Sequence, residues 1–119
     1  MLELKSMKIV KDKVNIEELK ELAQEMFGNL VKAVVDIEQE IMAIGGELHA
    51  DENALLLENG SKQQNFWGIN IYPEIPGDNF IEFDSVINLR PTQNNRSQGV
   101  DDPEIRAKII KTVNKLVEK

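Results

Sequence analysis

The sequence has no cysteine, which excludes disulfides, iron–sulfur clusters, thiolate zinc sites and thiol catalysis. It has no apolar run approaching the roughly 18 residues of a membrane span, and its N-terminus lacks the apolar stretch of a secretory signal. Basic side chains are outnumbered 14 to 21, for a net charge of −7. An acidic chain lacks the basic field that general nucleic-acid binding requires. The expectation is a cytoplasmic protein with neither a nucleic-acid nor a membrane partner. Its 119 residues fall within the roughly 100–200 residues of one domain, so residues 1–119 are read as a single unit. A chain of this size buries roughly two thirds of its unfolded surface and needs no covalent staples.

The charge that is present is unevenly placed. Residues 1–60 carry 6 basic and 13 acidic side chains, whereas 61–119 carry 8 of each. Between Asp84 and Asp101 there is no acid, only Arg90 and Arg96, so a locally positive polar stretch interrupts an acidic protein.

Residues 1–14 alternate weakly and read as a short edge strand through Met7–Val10 or a loose arm. Asn15 with Glu18 three residues on forms a capping-box pattern. Ile16, Leu19, Leu22, Ala23 and Met26 then recur at helical spacing up to Gly28. Residues 30–44 fit two templates. Leu30, Val34, Ile37, Ile41 and Ile44 make a helical stripe, while Val31, Ala33, Val35 and Ile37 alternate and are rich in strand-favouring β-branched residues. The two glycines that follow, Gly45 and Gly46, come without a helix-stop pattern and favour a hairpin.

Further on, Ala54–Glu58 closed by Asn59-Gly60-Ser61 reads as a strand and turn. Asn65–Tyr72 puts Trp67, Ile69 and Ile71 on one face. Phe80–Arg90 puts Ile81, Phe83, Ile87 and Leu89 on one face and Glu82, Asp84, Asn88 and Arg90 on the other. Asp102 and Pro103 open a last helix whose stripe is Ile105, Ile109, Val113, Leu116 and Val117. The fold predicted is α+β with two layers: an antiparallel sheet of about five strands, its N-terminal and C-terminal helices packed on one face.

The other sheet face then decides the functional question. In this reading Glu47, His49 and Asp51 alternate onto it, joined by Asn70, Glu82, Asp84, Asn88 and Arg90. Three chemistries suit such a set. His49, Asp51 and Glu47 offer the imidazole and carboxylate donors of a divalent-metal site. His49 with Asp51 or Glu82 offers a general base oriented by a carboxylate. Arg90 and Arg96, with Asn70, Asn88 and Ser97, offer a forked grip on a small anionic ligand. No spacing of a known catalytic motif occurs, and no motif indicates a cofactor. Trp67 shares parity with Ile69 and Ile71, which assigns it to the core rather than to a stacking platform.

The segments Gly45–Asp51, Trp67–Pro73 and Ile87–Pro91 with Asn95-Arg96-Ser97 resemble a family of small bacterial and archaeal proteins classed as a domain of unknown function. The resemblance covers roughly residues 26–117. It implies a free-standing cytoplasmic domain and carries over no activity, substrate or cofactor. Two readings follow. One is a binding or interaction domain that self-associates as a homodimer, since an antiparallel sheet covered on one side can pair across a two-fold axis. The other is a small-ligand or metal-dependent enzyme working through His49, Asp51, Glu82 and Arg90, which requires His49, Glu82 and Arg90 to share one pocket.

Overall fold

The computed structural model describes residues 7–119; residues 1–6, part of the N-terminal edge strand or arm expected from sequence, lie outside the described residues. The elements are β1 (Lys8–Val10), β2 (Val14–Asn15), α1 (Ile16–Met26), β3 (Val31–Asp36), β4 (Ile41–Ile44), α2 (His49–Glu58), β5 (Phe66–Ile71), β6 (Ile81–Glu82), α3 (Pro103–Leu116) and β7 (Val117–Glu118). Five strands form one sheet in the spatial order β1-β4-β3-β5-β6, with every neighbouring pair antiparallel. β2 and β7 form a short parallel pair.

The terminal helices start where the sequence predicts. The Asn15 side chain accepts a hydrogen bond from the Glu17 N–H at 2.7 Å, while Glu18 pairs with Lys8 across to β1 instead of closing a capping box. The Asp102 side chain accepts from the Glu104 N–H at 2.8 Å, with Pro103 in the first turn. Both helices cover the same sheet face. Leu19 and Leu22 of α1 and Ile109, Val113 and Leu116 of α3 join Val31, Ala33, Val35, Met42, Ile44, Ile69 and Ile71 in one buried cluster. Trp67 lies in it, 1% exposed.

Residues 31–44 form the hairpin. Its turn is built by the buried Asp36, whose carboxylate accepts from the Glu38 and Gln39 N–H groups and from Gln39 Nε2. Alternation in β3 and β4 is real, and the competing helical stripe arises because β-branched residues occupy both strand faces.

Two strand expectations give way. The residues from His49 to Glu58, including Ala54–Glu58, are helix α2 rather than strand. Between Gly45 and Asn65 there is no Val, Ile or Thr, so nothing there favours extended chain over a run of Ala, Leu and Glu. Asn59-Gly60-Ser61 is accordingly a helix stop. Gly60 takes φ +94°, Ser61 N–H donates to the Leu56 carbonyl and Gly60 N–H to the Leu57 carbonyl, the paired bonds of a Schellman ending.

Phe80–Arg90 is not one strand either, since only Ile81–Glu82 pairs with β5. Ser85 turns the chain into a short 3-10 segment, Val86–Asn88, by accepting from the Ile87 N–H. Parity is lost there. Ile81 and Phe83 pack on the α1/α3 side, Ile87 packs on the opposite side, and Leu89 is exposed.

α2 lies on the face expected to be open. Leu56 packs there with Val34, Ile41, Ala43 and Phe66. The sheet is therefore covered on both sides, and the fold has a third layer beyond the two predicted.

Candidate functional site

Three residues of α2 are buried: His49, Glu52 and Leu56. The spacing i, i+3, i+7 defines one inward face, and two of its three positions are ionisable. This side of the sheet is therefore a small apolar cluster around Leu56 with a polar end at the start of α2.

At that end His49 is 9% exposed, and its Nε2 lies 2.8 Å from the Ile69 carbonyl oxygen. A carbonyl only accepts, so Nε2 carries the proton and Nδ1 keeps its lone pair. Burial pushes the imidazole pKa below its ordinary value of 6.5, the Ile69 bond opposes this, Lys32 adds to the lowering and Asp84 opposes it. His49 is thus held as the neutral Nε2–H tautomer.

His49 lines a cleft of about 350 Å³ together with Lys32, Asn70, Asp84, Leu48 and Val86. Ser85 and Gln98 complete the polar wall. Gln98 is brought in from the polar 91–100 loop, because its carbonyl accepts from the Ser85 N–H at 2.9 Å and from Asn88 Nδ2 at 2.9 Å. Leu48 and Val86, 57% and 68% exposed, give the mouth apolar lips.

Asn70 is 8% exposed. Its Nδ2 donates to Glu82 Oε1 at 3.0 Å, and the Tyr72 hydroxyl donates to the same oxygen at 2.8 Å. A carboxylate oxygen only accepts, so the amide orientation is fixed. Asn70 Oδ1 is left buried with no partner among the described residues.

The other sequence candidates are distributed differently. Glu47 and Asp51 are exposed. Among the described residues no group of three or more His, Asp or Glu side chains is placed to hold a metal, so Glu47, His49 and Asp51 do not assemble the metal site. They sit at the entry to a helix rather than alternating on a strand. Glu82 holds Asn70 and Tyr72, and the described partner of His49 is a backbone carbonyl, so no carboxylate among the described residues is hydrogen-bonded to the imidazole to orient it as a base.

Arg90 lies over the Trp67 ring, 4.1 Å from its centroid, with Nη1 donating to the carbonyls of Gln63 and Gln64 at 3.1 and 3.3 Å. Arg96 is exposed, and its N–H donates to Asp101 Oδ2. Ser97 Oγ donates to Asp101 Oδ1 at 2.7 Å. The two arginines therefore do not form a clamp, and neither Arg90 nor Glu82 lines the His49 cleft.

Asn88 is a strut. Its Oδ1 accepts from the Gly68 N–H at 2.8 Å and its Nδ2 donates to the Gly68 carbonyl at 3.0 Å, supplying the pairing that β6 is too short to give. Gly68 permits this approach, since a Cβ there would lie 2.6 Å from Ser85 Cβ. Asn95 organises the next loop, donating to the Asn88, Ser97 and Gly99 carbonyls and accepting from the Asp101 N–H. Residues 91–99 are thus ordered by polar anchors, and Val100, 3% exposed, ties the end of the loop into the apolar core.

Sequence reasoning missed Glu52. It is fully buried, and its Oε2 accepts from the Gly46 N–H at 2.9 Å, while Oε1 has no partner among the described residues. Burial raises its pKa well above the ordinary value, against smaller opposing effects from the Gly46 bond and Lys32. The only trace in the sequence is the glycine pair six residues upstream, where a Cβ on Gly46 would meet Glu52 Cγ at 2.8 Å.

A second cavity, about 470 Å³, lies between α3 and residues 77–83 and is lined by Phe80, Phe83, Arg106, Ile110 and Lys119 among others. Its Arg106 donates to the Val100 carbonyl at 2.7 Å, and Lys119 lies over the Phe80 ring. No nine-tenths-buried polar group of the described residues lines it, which sets it apart from the His49 cleft.

Among known proteins, the model of the family described as "Protein of unknown function (DUF5674)" matches residues 8–116. No curated protein and no solved structure matches the chain.

Proposed function

The chain belongs to the DUF5674 family, whose description assigns no activity, and from the cleft itself we propose that it is a small-ligand binding domain with His49 and Asn70 at its centre. The observation that carries this reading is the buried, unpartnered Asn70 Oδ1 beside a neutral His49 in a cleft of about 350 Å³. An unpaired buried acceptor costs about 1–3 kcal/mol, and a ligand N–H or O–H entering the cleft offsets that cost. A space of this size with a few fixed polar groups suits a small organic molecule. Binding is favoured over catalysis because the described bonds spend Glu82 on Asn70 and Tyr72 and leave the imidazole without a carboxylate partner.

A thermal-shift screen of small polar metabolites tests it. A compound at 100 times its dissociation constant adds about 2.7 kcal/mol to stability. The expected result is a raised melting point in the wild type that is lost in both His49→Ala and His49→Gln. The glutamine variant keeps a donor for the Ile69 carbonyl while removing the imidazole. Shifts of equal size in wild type and both variants would place the binding elsewhere.

A further inference from the structure

We infer that the molecule taken by this cleft carries a protonated amine and a carboxylate together, as an α-amino acid or a close analogue does; the inference rests on the binding reading above. Three acceptors stand out in the lining of the cleft, beside the donors of Lys32, Ser85 and Gln98. Asn70 Oδ1 is an acceptor by elimination, since Glu82 takes the amide nitrogen, and it has no partner among the described residues. His49 spends its one N–H on the Ile69 carbonyl, so Nδ1 is a second acceptor. Asp84 is a third, and a charged one, and all three residues line the same cleft. A single hydroxyl satisfies one such group. An ammonium brings three N–H donors and a positive charge, which matches the three acceptors in number and the Asp84 carboxylate in sign.

Lys32 is the cation of the cleft. It would oppose a ligand that is only cationic, and it complements a carboxylate on the same molecule. Its half-buried position and its effect on the His49 imidazole place its charge close to the acceptors. The exposed lips, Leu48 and Val86, offer an apolar side chain a surface outside the polar floor. The three parts of an apolar amino acid thus each meet a matching part of the cleft.

Calorimetric titration of the full chain with the common L-amino acids, their N-acetyl derivatives and their amides tests this. The expected result is binding of at least one free amino acid. N-acetylation, which removes the ammonium, should weaken that binding at least about tenfold, the worth of a charge-assisted hydrogen bond. Asp84→Asn should weaken the free amino acid by a similar factor, and Lys32→Met should weaken it while leaving its amide unchanged. The inference is overturned if N-acetyl derivatives bind as well as the free amino acids, or if no amino acid binds. Compounds without an amine that bind and lose affinity in His49→Gln would leave the cleft as a site and remove only the ligand class. Absence of His49-dependent binding by any compound removes the cleft reading itself.

Discussion

Asn88→Ala is expected to destabilise the fold by about 3–5 kcal/mol, since it strands several buried backbone groups and each costs about 1–3 kcal/mol. The groups are the Gly68 N–H, the Gly68 carbonyl and the Gln98 carbonyl, all bound by one carboxamide. β6 pairs with β5 only at Asn70 and Ile71, so without Asn88 the edge of β5 at Gly68 has no neighbour. The loss is a large fraction of the roughly 5–15 kcal/mol that holds a domain of this size together. Asn88→Asp does not rescue it. An ionised aspartate still accepts from the Gly68 N–H but sets oxygen against two carbonyls. Thr92→Ala, an exposed change in the same polar region, should fall within about 0.5 kcal/mol of wild type. Urea unfolding of the four proteins measures this, and an Asn88→Ala loss below about 1 kcal/mol would show that the strut is dispensable. The same strut carries the 84–87 wall of the cleft, so ligand binding should fail in the variant even where it folds.

Replacing Glu52 by Gln should change the pH dependence of stability more than any other single substitution at the site. Burial raises the folded-state pKa of Glu52 well above its ordinary 4.5, so the folded protein holds a proton that the unfolded chain releases. The stability tied to that proton is fully present below about 4.5 and is lost as pH rises towards the folded value. The slope reaches about 1.4 kcal/mol per pH unit where one proton is exchanged. Glutamine keeps the shape and accepts from the Gly46 N–H without ever ionising. Wild type and Glu52→Gln should therefore be close in stability at pH 4 and diverge as pH rises, the variant becoming the more stable. His49 acts in the opposite sense. Its lowered pKa gives a contribution present above about 6.5 and lost as pH falls through the folded value. The two slopes oppose wherever their windows overlap, since the Glu52 window opens at 4.5 and runs upward while the His49 window opens at 6.5 and runs downward. Stability curves that stay parallel from pH 4 to 9 would contradict the buried, protonated carboxyl.

The parts of the fold that were legible in the sequence are those where local chemistry and burial agree. α1 and α3 carry caps and an apolar stripe, and β5 alternates between Trp67, Ile69 and Ile71 on one side and Gly68 and Asn70 on the other. α2 was not legible by periodicity because its inward face reads His49, Glu52, Leu56, and two polar residues erase the apolar signal that marks a buried helix. The absence of β-branched residues around it was the usable clue. The 80–90 stretch shows the reverse error. Its alternation is genuine as a pattern, yet Ser85 and Asn88 redirect the backbone through side-chain bonds that no hydrophobic count detects.

The site was legible in part for the same reason. His49 and Asn70 stood out as polar residues on the non-core parity, and both line the cleft. Asn88 stood out on the same ground and is a strut. Arg90 and Arg96 stood out by charge, but guanidinium stacking on Trp67 takes the first and the surface takes the second. Which polar residues converge depends on register and turns, and α2 entering from above the sheet decided that.

The most direct measurement uses the fact that His49 is the only histidine in the chain, so its imidazole resonances need no assignment. Nitrogen NMR of the side chain, recorded against pH and against the compounds that raise the melting point, reports on the centre of the cleft. The predicted result is a neutral Nε2–H imidazole at pH 7 that titrates below its ordinary value of 6.5, with the Nδ1 resonance moving on ligand addition. An imidazole that titrates at or above 6.5 and whose nitrogens are unmoved by every stabilising compound would contradict the account.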